Sequence, residues 1–171
     1  MSLQSEKNGT LVPKQELMDL GFVPHDLEFL GETTVKGKPA VKWNTLGDIP
    51  ATAGIYLLTS QDSNNDDIRV FYVGQTKDFW QITKGIVSNP KIRKNRSRPG
   101  QRYGRPKHSG RTRRRINREV MRQVEDGRTV QHWLRTLDGT KLNDEETRLI
   151  RLWNLKKNGW NRTAGSRMIG V

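Results

Sequence analysis

The stretch Ala53-Gly54-Ile55-Tyr56-Leu57-Leu58, followed after a polar interval by Ile68-Arg69-Val70-Phe71-Tyr72-Val73-Gly74, decides how this chain folds. Both runs carry the β-branched and aromatic residues that fit a pleated strand. Between them lies Ser60-Gln61-Asp62-Ser63-Asn64-Asn65-Asp66-Asp67, whose Asn and Asp side chains bond to nearby backbone and so favour a turn. An antiparallel hairpin with a long tip is the simplest structure. Side chains alternate between faces along a strand, so Tyr56 is expected to share a face with Leu58, and Tyr72 with Val70 and Ile68. Pairing of the two strands would bring both phenols toward one point, with Gly54 and Gly74 leaving backbone room beside them.

Working outward, charge is the next signal. The chain has 31 Lys+Arg against 18 Asp+Glu in 171 residues, a formal net charge of +13. Sixteen of the basic residues and only three of the acidic ones fall between Lys84 and Arg128, so that segment holds the whole excess. A cationic surface concentrated in this way attracts a polyanion, and counterion release from neutralised phosphates is its usual use. A membrane-surface patch would need a strong apolar face beside the charges, and Lys91–Arg115 offers only Ile92 and Tyr103. Interleaved aromatics for stacking on single-stranded RNA bases are equally sparse there.

Other bounds are simple. The length suits one domain, or a small core with an extension. Cysteine is absent, which excludes disulfides and thiolate metal sites. His25, His108 and His132 are scattered, against a histidine-built zinc site. No apolar run approaches membrane-spanning length and no signal-peptide pattern opens the chain. These features lead to the expectation of a soluble, cytoplasmic protein with no membrane partner and no small-molecule cofactor.

The remaining segments read unevenly. Lys14–Leu20 reads as a short helix, with Pro13 tolerated at its start and Gly21 as its stop. Residues 22–42 are ambiguous, with strand character only around Leu27–Leu30 and Pro39–Val41. Residues 77–110 hold Pro90, Pro99, Gly100, Gly104, Pro106 and Gly110 among many cations, which is loop chemistry. A loop of that length is usually functional. Lys84, Lys91, Arg93, Lys94, Arg96 and Arg98 in its first half are candidate DNA contacts. Arg102, Arg105 and Lys107 in its second half continue the set, and Trp80 is a candidate anchor. Helical pattern resumes at Gly110–Arg111 and runs to Asp126 with Gly127 as stop; Ile116, Val120 and Val124 form its apolar stripe. Arg113, Arg114 and Arg118 on this helix are further candidate DNA contacts. Val130, Trp133, Leu134 and Leu137 then read as a second amphipathic helix closed by Asp138-Gly139. A final helix opens at Asn143 as N-cap, with acids in its first turn. On it Glu146 shares a face with Leu149, Ile150 and Trp153, whereas Glu145 aligns with Arg148 and Leu152. A carboxylate on the packed side is costly unless something uses it. An Asn143–Glu146 capping box is the local alternative.

With these residues in place, a resemblance emerges. Gly54-Ile55-Tyr56 and Tyr72-Val73-Gly74 together resemble the signature of the GIY-YIG nuclease family, with Val73 replacing the usual isoleucine. Gln75-Thr76 after the second tripeptide, Trp43 and Ile49-Pro50 before the first, and the Glu146-x-x-Leu149-Ile150 spacing are similar too. Asn158-Gly159-Trp160-Asn161-Arg162 is similar to the aromatic–Asn ending of the family core. The likeness spans roughly residues 43–163. It departs after Thr76, where the family runs directly into a helix bearing an essential arginine and this chain carries the basic loop.

The resemblance implies an α/β (α+β) fold: a small antiparallel-rich sheet flanked by helices over residues 43–171. Residues 1–42 would be an N-terminal extension with DNA contacts, and 77–110 a basic insertion. It further implies Glu146 as ligand to one Mg²⁺ (or Mn²⁺), and Tyr56 as general base or water-positioner. Tyr72 would hold water or phosphate. Arg115, followed by Ile116, best fits the phosphate-clamping arginine, and Arg111 one turn earlier is the alternative. His108 and Asn161 match residues near the family's site. The two phenols and the helical carboxylate are thus expected to meet around a divalent ion beside a scissile phosphate. The setting implied is a stand-alone restriction endonuclease of bacterial or phage origin, cutting double-stranded DNA, with a homodimer suited to a palindromic target. A homing or repair nuclease, or a DNA- or RNA-binding module without catalysis, are the alternatives.

Overall fold

In a computed structural model that describes residues 7–35, 38–79 and 109–161, the quoted stretch forms the hairpin at the centre of an antiparallel sheet. The elements in chain order are β1 (Thr10–Pro13), α1 (Lys14–Asp19), β2 (Val23–Val35), β3 (Lys38–Thr45), β4 (Gly54–Gln61) and β5 (Asp67–Thr76). They continue with α2 (Ser109–Glu125), β6 (Thr129–Thr136), a 3₁₀ turn (Gly139–Lys141), α3 (Leu142–Leu152) and the short α4 (Leu155–Asn158). Five strands lie in the order β1-β5-β4-β6-β2, and β3 extends the sheet by pairing along the far part of β2. The protein is therefore α+β, with an antiparallel sheet flanked by helices. Residues 10–35 contribute strands at both sides of the hairpin: β1 pairs with β5, and β2 with β6.

Two cores, one on each face, follow from strand alternation. Ile55, Leu57, Val73 and Trp133 join Leu149, Ile150 and Trp153 of α3 in one cluster. Leu58, Phe71 and Val130 join Ile116 and Val120 of α2, with Trp160, in the other. The stripe expected on α2 is thus the one buried, and Gly127 ends the helix region at φ +81°, a backbone state that glycine adopts without penalty.

Three sequence expectations are corrected. First, residues 129–136 are a strand, not a helix, and β6 sits between β4 and β2. A strand buried on both faces loses its polar–apolar alternation, so Val130, Trp133 and Leu134 mimic a helical spacing. Second, Tyr72 does not share a face with Val70 and Ile68. The β4–β5 register slips between Leu58↔Tyr72 and Thr59↔Val70, making Phe71 the extra residue of a bulge. That bulge turns Tyr72 to the α2 side while Ile68 and Val70 pack on the α3 side. Third, Asn143 is not an N-cap. Lys141 occupies that position without a side-chain cap bond. Asp138 caps the preceding turn instead, accepting from the Thr140 amide at 2.9 Å. The Asn143–Glu146 capping box is therefore not formed.

Candidate active site

Tyr56 and Tyr72 stand together on the α2 side of the sheet, with ring centroids 6.0 Å apart and planes tilted by 41°. Their strands explain the meeting. Tyr56 lies directly opposite Gly74, and Leu58 opposite Tyr72, so the phenols are diagonal cross-strand neighbours. Gly74 makes the approach possible, since a Cβ there would run into Cζ and the hydroxyl of Tyr56. The ring of Tyr56 therefore lies over bare backbone of the second tripeptide. Gly54 serves a different contact: a Cβ at that position would collide with the Phe79 ring and the Arg135 carbonyl.

A residue that sequence reasoning left unassigned completes this cluster. His132 of β6 packs edge-on against Tyr56, with centroids 5.7 Å apart and planes at 72°. Its other neighbours come from β3: Trp43 in a T-shaped contact at 4.8 Å, and Thr45 Oγ1 at 2.6 Å from Nδ1. Since β2 separates β3 from β6 in the sheet order, the β2–β3 hairpin must curl over this face to deliver those contacts. His132 is almost fully buried, at 1% exposure. Burial, reinforced by repulsion from His25, pushes its pKa down to about 3, so the ring is neutral at physiological pH. A lone histidine in Gln131-His132-Trp133 carries no spacing signal, which is why the sequence did not single it out.

Asn161 has a definite task. Its Nδ2 donates to the Val73 carbonyl at 2.9 Å, and its Oδ1 accepts from the Val73 amide at 3.0 Å. Both polar ends of the buried amide are thereby engaged with the central residue of the second tripeptide. The Trp160 amide donates to the Phe71 carbonyl at 2.6 Å, and the Trp160 and Phe71 rings stack at 4.4 Å. Asn161 thus fixes the strand segment from which Tyr72 projects.

Glu146 lies on α3, which packs on the opposite face of the sheet from the phenols. It is half-buried, and Leu149, Ile150 and Trp153 on its side of the helix are buried as expected. The first turn of α3 is tied to the end of β5, where Gln75 Nε2 donates to Asn143 Oδ1 at 2.6 Å. Asn143 and Glu146 are one turn apart, so both lie on one helix face. The structure therefore joins the two phenols and brings the carboxylate's helix to the same end of β5, but across the sheet. Neighbouring Glu145 has a separate role: it pairs with Arg148 and, at 2.9 Å, with Arg135 of β6. Burial opposes ionisation of Glu145, but these bonds prevail and hold its carboxyl below the usual range.

Among the cationic candidates, Lys84, Lys91, Arg93, Lys94, Arg96, Arg98, Arg102, Arg105, Lys107 and His108 lie outside the described residues, as does Trp80. Arg111, Arg113, Arg114 and Arg115 fall in the first two turns of α2, and Arg118 farther along it is exposed. Among the described residues no group of three His, Asp or Glu side chains stands ready to hold a metal. Glu145 is engaged by two arginines, and Glu146 is the carboxylate among the described residues that the resemblance assigns to a divalent ion. Water and phosphate oxygens would have to fill the rest of the shell. No helix among the described residues is long and apolar enough to cross a membrane.

No protein-family model, no curated protein and no solved structure matches the chain.

Proposed function

We propose that this protein is a metal-dependent endonuclease of the GIY-YIG type that cuts double-stranded DNA, in the manner of a stand-alone restriction enzyme. The observation that carries the reading is the seating of Tyr56 over Gly74 beside Tyr72. Two tripeptides that are unremarkable separately converge on one spot of one sheet face. The segment 84–128, with its sixteen cations, supplies the attraction for a phosphate backbone.

In this reading the DNA backbone runs across the end of the sheet where β4 begins and β5 stops, within reach of both faces. Tyr56 accepts a proton from the attacking water, whose oxygen bonds to phosphorus as the bond to the 3′ oxygen breaks. A phenol ionises in water only near pH ~10, so a cationic neighbour is needed, and the arginines opening α2 are the source of that charge. Tyr72 holds the water or a phosphate oxygen by its hydroxyl. Arg115, or Arg111 one turn earlier, clamps the remaining phosphate oxygens through its forked guanidinium. A Mg²⁺ or Mn²⁺ ion on Glu146 would supply positive charge at the leaving oxygen. Asn161 supports the arrangement through the Val73 backbone, without touching substrate.

The test is direct. Supercoiled and linear double-stranded DNA are incubated with the protein and Mg²⁺, with and without chelator. Discrete fragments that vanish with chelator are expected. A smear would indicate cutting without site preference, and retention of DNA without any product would leave a binding module and sink the catalytic reading.

A further inference from the structure

Resting on the nuclease reading above, we propose that His132 is a positioning residue for Tyr56, held in turn by Thr45 and Trp43 of the β2–β3 hairpin. A neutral ring wedged at the edge of the general base is an unusual use of a buried position. Leucine or phenylalanine would bury there with no polar atoms to satisfy, whereas an imidazole needs hydrogen-bond partners. The fold provides one from a distant segment: Thr45 Oγ1 lies 2.6 Å from Nδ1. Trp43 closes on the ring at 4.8 Å in an edge contact. The ring is thus fixed at one nitrogen and along one edge, and Tyr56 packs on it at 72°.

With His132 at one side, Tyr72 at another and Gly74 beneath, the Tyr56 phenol has its rotation about the Cα–Cβ bond restricted. A base held in one orientation reacts as a near-attack conformer, and misplacement by about 1 Å can lower turnover by roughly 100-fold. The chain of contacts Trp43/Thr45–His132–Tyr56 also assigns a task to the β2–β3 strand pair: its curl over the sheet face sets the orientation of the phenol.

Two variants and two readouts test this. In His132→Leu, with ring-labelled tyrosine followed by NMR and Tyr56 assigned by comparison with Tyr56→Phe, the Tyr56 ring signals are expected to move. Turnover on DNA should fall by roughly 10- to 100-fold at unchanged KM and DNA affinity. Thr45→Val keeps shape and removes the hydroxyl. It should shift the same signals less and lower turnover by a smaller factor, and it stands in should His132→Leu fail to fold. His132→Gln, which retains a hydrogen-bonding partner for Thr45, should recover part of the loss. Unmoved Tyr56 signals in folded His132→Leu or Thr45→Val would overturn the proposal. A loss in KM alone would do the same. Should the wild-type protein cut no DNA, the nuclease reading falls, and the ring signals then decide the positioning on their own.

Discussion

On the α3 side of the sheet, Ile55, Leu57, Val73 and Trp133 meet Leu149, Ile150 and Trp153 in an apolar layer. There the indole nitrogen of Trp133 donates to Thr59 at 3.1 Å. On the α2 side, neighbouring positions of the same strands carry Tyr56, Tyr72 and His132, two of them only half-buried. Apolar burial stabilises a fold in proportion to area, at about 25 cal/mol per Å². Both faces bury apolar area and gain stability from it, but on the second face part of that area is given over to two half-buried phenols and an imidazole. Polar groups gathered on one face at that cost in stability mark where chemistry is expected, and the contrast between faces can be attacked from either side.

The largest effect is expected where the contrast is sharpest. Tyr56→Phe in β4 and Glu146→Gln in the first half of α3 should each lower cleavage by ~100-fold or more, with melting temperature and DNA affinity little changed. Single-turnover cleavage with Mg²⁺ is the measurement, and full activity in either variant would remove that residue from the site. Trp133→Ala, in the apolar layer under α3, should do the reverse. A loss of about 3–5 kcal/mol in urea unfolding is expected, with the residual folded protein still able to cut. Gly74→Ala lies between these cases. Its methyl group must displace the Tyr56 ring, so about 1–3 kcal/mol of overpacking should accompany a roughly 10-fold or greater loss of turnover.

Acid should act first through the phenol side. The folded-state pKa of His132 lies at about 3, below its ordinary 6.5, so between these values the unfolded chain binds a proton that the native protein does not. The associated stability is complete above pH 6.5 and is lost as pH falls, by up to about 1.4 kcal/mol per unit. Urea unfolding at a series of pH values should show that slope, and His132→Leu should remove it. Asp62 titrates lower. The Arg128 guanidinium at 2.8 Å lowers it most, burial opposes that, and Arg69 at 3.0 Å adds to the lowering, which prevails. Its contribution is present above its ordinary 3.8 and is lost only as pH drops through the still lower folded value. Asp62→Asn should have the smallest effect, on the order of 1 kcal/mol, with cleavage intact.

The hairpin and α2 were legible in the sequence because their signals are local. Two apolar runs flank an Asn/Asp tip, and Ile116-Val120-Val124 runs up to Gly127. The sheet's centre was not legible in the same way. In β6 the two faces are both buried, so Val130 and Trp133 carry no alternation to read, and a helix was the natural inference. The Phe71 bulge left no trace in composition, yet it determines which face Tyr72 takes. The contact between His132 and Tyr56 was invisible for a related reason. It depends on β3 curling over from across β2, a long-range event that neither residue announces. Of the candidate site, the pairing of the phenols was foreseeable from strand register and glycine spacing. The position of α3 on the other side of the sheet was not, since it depends on how the chain leaves β6.

One consequence lies in the outer flank of β5. From Asp67 to Val70 that flank is zipped to β1, and beyond it the Trp160 amide bonds to Phe71 and the Asn161 carboxamide to Val73. Asn161 in effect impersonates a missing strand. A second molecule arriving at this margin finds no free row on β5 from Asp67 to Val73, and the strand outside it, β1, is four residues long and ends in Pro13, features that discourage stacking of copies edge to edge.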